Sequence, residues 1–342
     1  MAALKKNPKS QLPKSQRNVF GVSRCVRGLC LRFWSFALCS RAVPEVLVLG
    51  IFLLPACAST RPVVKIGLVA PFVGHYREIG EEIIYAVRLA VREANEAGGV
   101  AGYSIELMAY DDESDPALAE EQAHKLATDP QVVGAIGHWL DTTTLAAAPV
   151  YAATQIPLLA TTTSPNLDPA AYRLWYTEQT YLTTQPNSTH CPLPCDPLQV
   201  SEWFTDHCSL ITDHCLGPAT WGLNLFPRLA PESANTISIL APAPLPNESS
   251  DPAFADRYQA ISPGVQPRFL AVLAYDATKV LLAAIERDIK TNGAPTRSGV
   301  NAALTQTDYN GLSGHFSFDS EKDWTEAKGW IYQWKSGQLV KP

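Results

Sequence analysis

Compact apolar runs and stretches of helical spacing take turns along the chain from Val63 onward. Val63 to Ala70 is an apolar run rich in β-branched residues and closed by Pro71, which predicts a buried strand. Glu81 to Ala97 carries Ile83, Val87, Ala90, Val91 and Ala94 on one helical face, and Gly98-Gly99 follows as a stop. Tyr103 to Tyr110 predicts a second strand. Asp115 offers a capping side chain and Pro116 a first-turn residue, so a helix opens there and runs to Thr128. Gln131–Gly137 predicts a third strand, Thr142–Ala153 a third helix and Ile156–Ala160 a fourth strand. Strands and helices alternating over short links specify an α/β fold, a parallel sheet covered by helices.

Ligands of such sheets sit beyond the carboxyl ends of the strands. That rule singles out the loops Pro71–Gly80, Asp111–Ser114, His138–Thr144 and Thr161–Pro165. The last two are dense in hydroxyls and open toward helix N-termini, whose free N–H groups and dipole favour a carboxylate. The same threonines serve equally as caps and turn formers, and the pattern leaves both roles open. Asp111-Asp112, at a strand end, has the makings of an acid pair or a magnesium site. The chain lacks Gly-x-Gly-x-x-Gly, a P-loop, Gly-x-Ser-x-Gly and His-Glu-x-x-His, so no motif points to catalysis.

The same region carries an ordered series of short motifs. They are Arg92-Glu-Ala-Asn95-Glu-Ala-Gly98-Gly99-Val100-Ala-Gly102, Ile105-Glu-Leu107, Asp111-Asp112 and Asp115-Pro116, then Gly137-His138, Pro149-Val-Tyr151, Ile156-Pro157 and Thr163-Ser164-Pro165. From Val63 to Leu167 this series resembles the N-terminal lobe of the branched-chain amino acid (Leu/Ile/Val) binding family. The resemblance implies a type I periplasmic-binding-protein fold, two lobes each with a parallel sheet flanked by helices, closing on a solute. It further implies a monomer without cofactor or catalysis, the capture subunit of an ABC importer, delivering its ligand to a membrane permease. Under it, Asp111-Asp112 is structural.

By position, the resemblance assigns ligand contacts to Asp141 in the third-strand loop and to Thr161 and Thr163 after the fourth strand. Tyr76 is placed to wall the pocket. Tyr275 is the candidate from the C-terminal half, in Leu273–Ala277, which resembles the family's Ala-Tyr-Asp-Ala stretch. Asp141 departs from the family's usual serine, and a carboxylate there repels a ligand carboxylate. Either Thr142 takes over while Asp141 caps the helix, which is the preferred reading, or the ligand presents an amine or hydroxyl.

Beyond Trp175 the resemblance lapses until about Phe226. Cys191, Cys195, Cys208 and Cys215 lie there, and Thr-Asp-His-Cys recurs at 205–208 and 212–215. Zinc ligation, disulfides and a translated DNA repeat replacing coding sequence are the three readings, and the recurrence suits the last. An incomplete second lobe is therefore expected. The family pattern resumes with a strand over Ser238–Pro244, a helix opened by Asp251–Phe254, the Tyr275 helix, and closing strands over Gly311–Asp319 and Gly329–Trp334. The domain reading is a first lobe from 62–172 and 265–308, an irregular segment over 173–235, and a second lobe from 236–264 and 309–342.

The N-terminus is of another kind. Nine basic residues from Lys5 to Arg41 precede the first acidic one, Glu45. An apolar stretch over Val46–Leu54 and then Pro55-Ala56-Cys57 follow. Residues 1–56 thus read as an export leader, and Leu54–Cys57 resembles a lipobox, with Cys57 as the lipidated residue. The expected location is the extracytoplasmic face of a bacterial membrane, lipid-anchored or periplasmic. A charged fraction of 18% and a net charge of -6 give no electrostatic footprint for nucleic acid. Two further readings stay open: a sensor relative of the same ligand class, and a remnant whose binding is impaired by the irregular segment.

Overall fold

Strand β1 forms over Val63–Ala70, as its apolar run predicts, and is buried at every position from Ile66 to Ala70. The computed structural model describes residues 61–162, 164, 166–174, 216–229, 231 and 234–342. Strands β2 (Ser104–Asp111), β3 (Val132–Ile136), β4 (Leu158–Ala160) and β5 (Tyr172–Arg173) join β1 in a wholly parallel sheet of order β2-β1-β3-β4-β5. Parallel strands are covered on both faces, which is why β1 reads as a run and not an alternation. Val64, Ile66 and Leu68 face α1 (Arg77–Glu96) and a later helix, while Val69 faces α2 (Pro116–Thr128) and α3 (Asp141–Ala153).

Local chemistry sets the helix ends. Asp115 caps α2 by accepting the Leu118 N–H at 2.8 Å, with Pro116 in the first turn, as the sequence predicts. Helix α1 begins one turn before the predicted Glu81. Gly80, read from sequence as the end of a loop, lies inside the helix because its bare Cα lets Pro71 come close. A Cβ there would stand 2.2 Å from the Pro71 carbonyl oxygen.

A second sheet has the order β11-β10-β7-β6 over β6 (Leu216–Gly217), β7 (Ser238–Ala241), β10 (Trp330–Lys335) and β11 (Gln338–Val340). The first sheet is parallel as expected. The second is mixed over the described residues, with β6 parallel to β7 but β10 antiparallel to both β7 and β11. The β10–β11 link is a tight turn with Ser336 and Gly337 at φ 50° and 77°, the conformation that suits the twist of a two-residue hairpin. Between β8 (Tyr309–Asn310) and β9 (His315–Phe316) runs a separate small hairpin.

The expected loss of second-lobe core concerns residues 175–215, outside the described residues, as do Cys57, Thr163 and all four of Cys191, Cys195, Cys208 and Cys215. The end of the supposedly irregular 173–235 segment is ordered into β6, a 3-10 turn over Ala219–Gly222 and α4 (Leu225–Leu229). These pieces are too short to show a period and are held by packing instead. Trp221 stacks on Phe226 with centroids 4.6 Å apart, and its carbonyl accepts the Trp334 indole N–H at 2.9 Å.

After α5 (Phe254–Gln259) the chain returns to the first sheet as α6 (Phe269–Asn292) and α7 (Arg297–Leu304). Helix α6 packs on α1 and β3, completing the face that begins with Val64, Ile66 and Leu68. Its first turn is capped from afar. Glu82 on α1 accepts the backbone N–H groups of Arg268 and Ala271 at 3.0 and 2.8 Å and pairs with the Arg268 guanidinium at 3.2 Å. The Arg268 side chain also donates to the Gly222 carbonyl at 2.9 Å. Arg297 donates to the carbonyls of Ala127, Asp129, Val132 and Thr154, closing the C-terminal ends of α2 and α3 with a cation. The described residues belong to one compact unit, Ser59–Pro342; the other unit, Met1–Ala58, lies outside them.

Asp276, one residue past Tyr275 on α6, is fully buried and accepts the N–H groups of Leu312 and Ser313 at 2.7 and 2.8 Å. Burial pushes its carboxyl up to about 6, against the downward pull of those two donors. The folded state therefore keeps a proton that the unfolded chain releases near pH 4. Stability from this group is complete below that pH and declines as pH rises through about 6, an effect of about 3 kcal/mol. Urea denaturation of wild type and Asp276→Asn at several pH values should show this slope only in the wild type. Parallel curves would rule out Asp276 as its source.

Candidate functional site

The strand order places β1 between β2 and β3, so the connections leaving β1 and β2 run to opposite sides of it. In open α/β sheets that reversal opens a crevice at the carboxyl ends of the central strands. A cavity of about 240 Å³ lies there. The first sheet contributes Tyr76 and Ile79 after β1, Ser114 after β2, Trp139 to Thr142 after β3, and Thr161 after β4. The opposing wall is Pro218, Ala219, Thr220 and Leu223, with Leu270 from the first turn of α6. All four loops singled out by the strand-end rule reach the cavity.

One buried hub sets the geometry of three of these loops. His138 and Asp112 are both fully buried, with Nδ1 of His138 2.8 Å from the Asp112 carboxylate. The carboxylate accepts, so Nδ1 carries the proton and Nε2 faces the Tyr151 hydroxyl at 3.2 Å. Burial, and secondly the charge on Asp112, push the Tyr151 phenol up and keep it protonated. Asp112 also accepts the Ser114 N–H at 3.0 Å. The His138 carbonyl accepts the hydroxyls of Thr144 at 2.8 Å and Thr161 at 3.1 Å. The ends of β2, β3 and β4 are thus tied through a single residue. Asp111 works alongside, accepting the N–H groups of Phe72 and Glu113 at 2.9 and 2.8 Å. Both aspartates shape loops, and among the described residues no group of three or more His, Cys, Asp or Glu is placed to hold a metal.

Asp141 does not cap α3. The N-cap is Leu140, without a side-chain cap bond, and Asp141 occupies the first helical position. Its carboxylate accepts the hydroxyl of Thr162, which in turn accepts the Ser164 N–H at 3.0 Å. The preferred capping reading fails because helix geometry starts one residue earlier than the sequence implied, leaving the side chain at the cavity.

Of the residues expected from sequence, Tyr76, Asp141, Thr142 and Thr161 are brought together around one cavity. Tyr275 is not. Only the first turn of α6 reaches the cavity, and Tyr275 lies further along the helix. There it donates to Glu93 and packs edge-on against Phe254, centroids 5.2 Å apart. The other lining residues do not follow from the sequence, and two of them carry polar atoms that stand out. The indole nitrogen of Trp139 and the hydroxyl of Ser114 are buried and have no hydrogen-bond partner among the described residues. Buried polar groups are almost always paired, so these two atoms are exceptions, as are single atoms of Gln122, Arg173, Ser313 and Trp330 elsewhere in the described residues. Ser114 is also held at φ 64°, next to Glu113 at 50°, a left-handed pair that costs energy outside glycine.

A sequence profile of the periplasmic binding protein family matches residues 63–187 and 216–338, more than half of the chain. An amino acid binding protein of Pseudomonas aeruginosa is 31% identical over 88 residues, 26% of this chain and 24% of that protein. A Leu/Ile/Val-binding protein homolog of Brucella abortus is 33% identical over 118 residues, 34% of this chain and 31% of that protein. The chain thus spans about a quarter to a third of the length of the curated relatives it matches. In solved structures the likeness is longer but fainter. The branched-chain amino acid transporter substrate binding protein LivJ from Streptococcus pneumoniae, in complex with isoleucine, superposes with a TM-score of 0.64 at 19% identity. That match covers 82% of this chain and 100% of LivJ, and at such identity it is a likeness of fold. Two-sheet architecture, cavity position and sequence profile agree: the chain belongs to the periplasmic binding protein family.

Proposed function

We propose that this protein captures a small amino-acid-like solute by closure of two lobes, one built on each of the two larger sheets. It then passes the solute to an ABC-type permease. The observation that carries the reading is one cavity walled by four strand-end loops of the first sheet and, opposite, by the turn after β6. A volume of about 240 Å³ falls below the range of about 300–1,000 Å³ typical of drug-sized ligands and suits a single small molecule. Relatives named for binding amino acids point the same way. Tyr76, Asp141, Thr142, Thr161 and Thr163 are the ligand residues in this reading, with Trp139 and Ser114 added. Catalysis has no part in it. The protein acts as a monomer on the extracytoplasmic face, held by a lipid on Cys57; no helix among the described residues is long and apolar enough to cross a membrane.

Thermal unfolding of the chain against amino acids, amides and short-chain organic acids tests the proposal. A ligand that binds only the native state adds about 2.7 kcal/mol of stability at a hundredfold excess over Kd. A concentration-dependent rise in Tm with one class of these solutes is the expected result. An unchanged Tm across the whole panel would defeat the proposal.

A further inference from the structure

We infer that Glu78 is a positioning residue that, with Arg268, latches the far wall of the cavity onto α1, so that the cavity opens when this latch releases. Its part in capture rests on the cavity being the solute site; the latch itself does not.

The wall turn after β6 is fastened through three backbone groups lying close together in sequence. The Trp221 carbonyl accepts the Trp334 indole N–H, a buried bond to β10 of the second sheet. The other two bonds come from the side of the first sheet. Arg268 donates to the Gly222 carbonyl at 2.9 Å, and the Glu78 carboxylate, in the first turn of α1, accepts the Asn224 N–H at 2.8 Å. Arg228 on α4 donates to the Asn224 carbonyl at 3.0 Å and pairs with Glu78. Ala219, Thr220 and Leu223 of this turn line the cavity, whereas Glu78, Arg268 and Asn224 line a separate recess of about 580 Å³. The latch holds the wall from outside the space that the wall encloses.

Burial separates a fixed anchor from a releasable one. Glu82 and Glu78 both face the Arg268 guanidinium, at 3.2 and 3.5 Å. The Glu82 side chain is 2% exposed, so parting it from Arg268 would strand a charge away from water. Glu78 and Arg268 keep 13% and 18% exposure and border the recess, where water takes over their charges once the backbone groups leave. A charge-assisted bond to a backbone N–H in such a place is firm enough to hold a turn, yet breaks without a buried charge left behind. Arg228, 66% exposed, adds little.

Amide hydrogen exchange of the full chain, with no solute added, reads the latch. Asn224 loses its acceptor in Glu78→Ala, so the deciding amides are Trp221, Leu223 and Phe226. Their acceptors, the carbonyls of Pro218, Thr220 and Leu223, are untouched by the change. All three are expected to exchange about tenfold faster or more in Glu78→Ala, while β7 and the α1 amides from Ile83 to Val91 stay within about twofold. Glu78→Gln, which keeps an acceptor, should fall between wild type and Glu78→Ala, and Arg228→Met should change the three amides by less than about threefold. Faster exchange at Asn224 alone would overturn the inference, since the wall would then hold without the latch. So would equal acceleration in β7 and α1, the mark of a merely structural role. With no solute in the sample, the result stands apart from what the cavity binds.

Discussion

Replacing His138 with alanine is expected to lower the unfolding free energy by about 2–4 kcal/mol, the cost of taking the ring donor from a buried carboxylate and of the cavity left by the ring. Asp112 would then sit fully buried facing a void, and the Tyr151 hydroxyl would lose its acceptor. The smaller change Tyr151→Phe deletes one hydrogen bond and should cost about 1 kcal/mol. Urea denaturation of the two variants separates the effects, and a loss below 1 kcal/mol in His138→Ala would show that the pair does not hold the loops. The same variant should weaken solute binding, because Ser114 hangs from Asp112 and the 138–144 loop follows the ring.

Glu82→Ala is the second large effect, expected at about 2–4 kcal/mol, since it uncaps a helix and removes one of the two carboxylates on the Arg268 guanidinium, Glu78 staying at 3.5 Å. Burial works to raise the Glu82 carboxyl, and the Arg268 charge with the N–H groups of Ala271 and Arg268 works against it. Glu82→Gln keeps the volume and one acceptor and should recover part of the loss. Native-state hydrogen exchange gives a local readout: the Ala271 amide should lose protection in Glu82→Ala well before the middle of α6 does. Uniform protection along α6 in that variant would mean the helix start is held by something else.

How far the sequence could be read depends on the range of the forces involved. Strands β1 and β3 announced themselves because both faces are buried, so composition alone marks them. The Asp115-Pro116 start of α2 is a contact between near neighbours and was equally legible. Gly80 misled, because its reason is a carbonyl nine residues back that no helical period reveals. The rule that ligands sit at strand ends singled out the loops, and the family resemblance placed four cavity residues within them. Trp139 and Ser114 followed from neither, since having no partner is a property of the assembled structure. The Glu82–Arg268 contact joins positions 186 residues apart, and the wall at Pro218–Leu223 comes from segments too short to carry a period. Tyr275 was misplaced for a related reason: a motif on a helix says nothing of which turn meets the ligand.

Helix α6 has a consequence for how the chain is made. The face of the first sheet formed by Val64, Ile66 and Leu68 is covered partly by α1, which follows it directly, and partly by α6, which ends at Asn292. At synthesis rates of about 5–20 residues per second, the ribosome takes roughly 10–45 s to travel from the end of β1 to the end of α6. Through that interval a strip of the sheet has no cover from its own chain. Contacts so distant along the sequence pay their loop-closure entropy late and form slowly. The nascent protein therefore stays open on one side until its last third emerges, a state in which a chaperone would find it receptive.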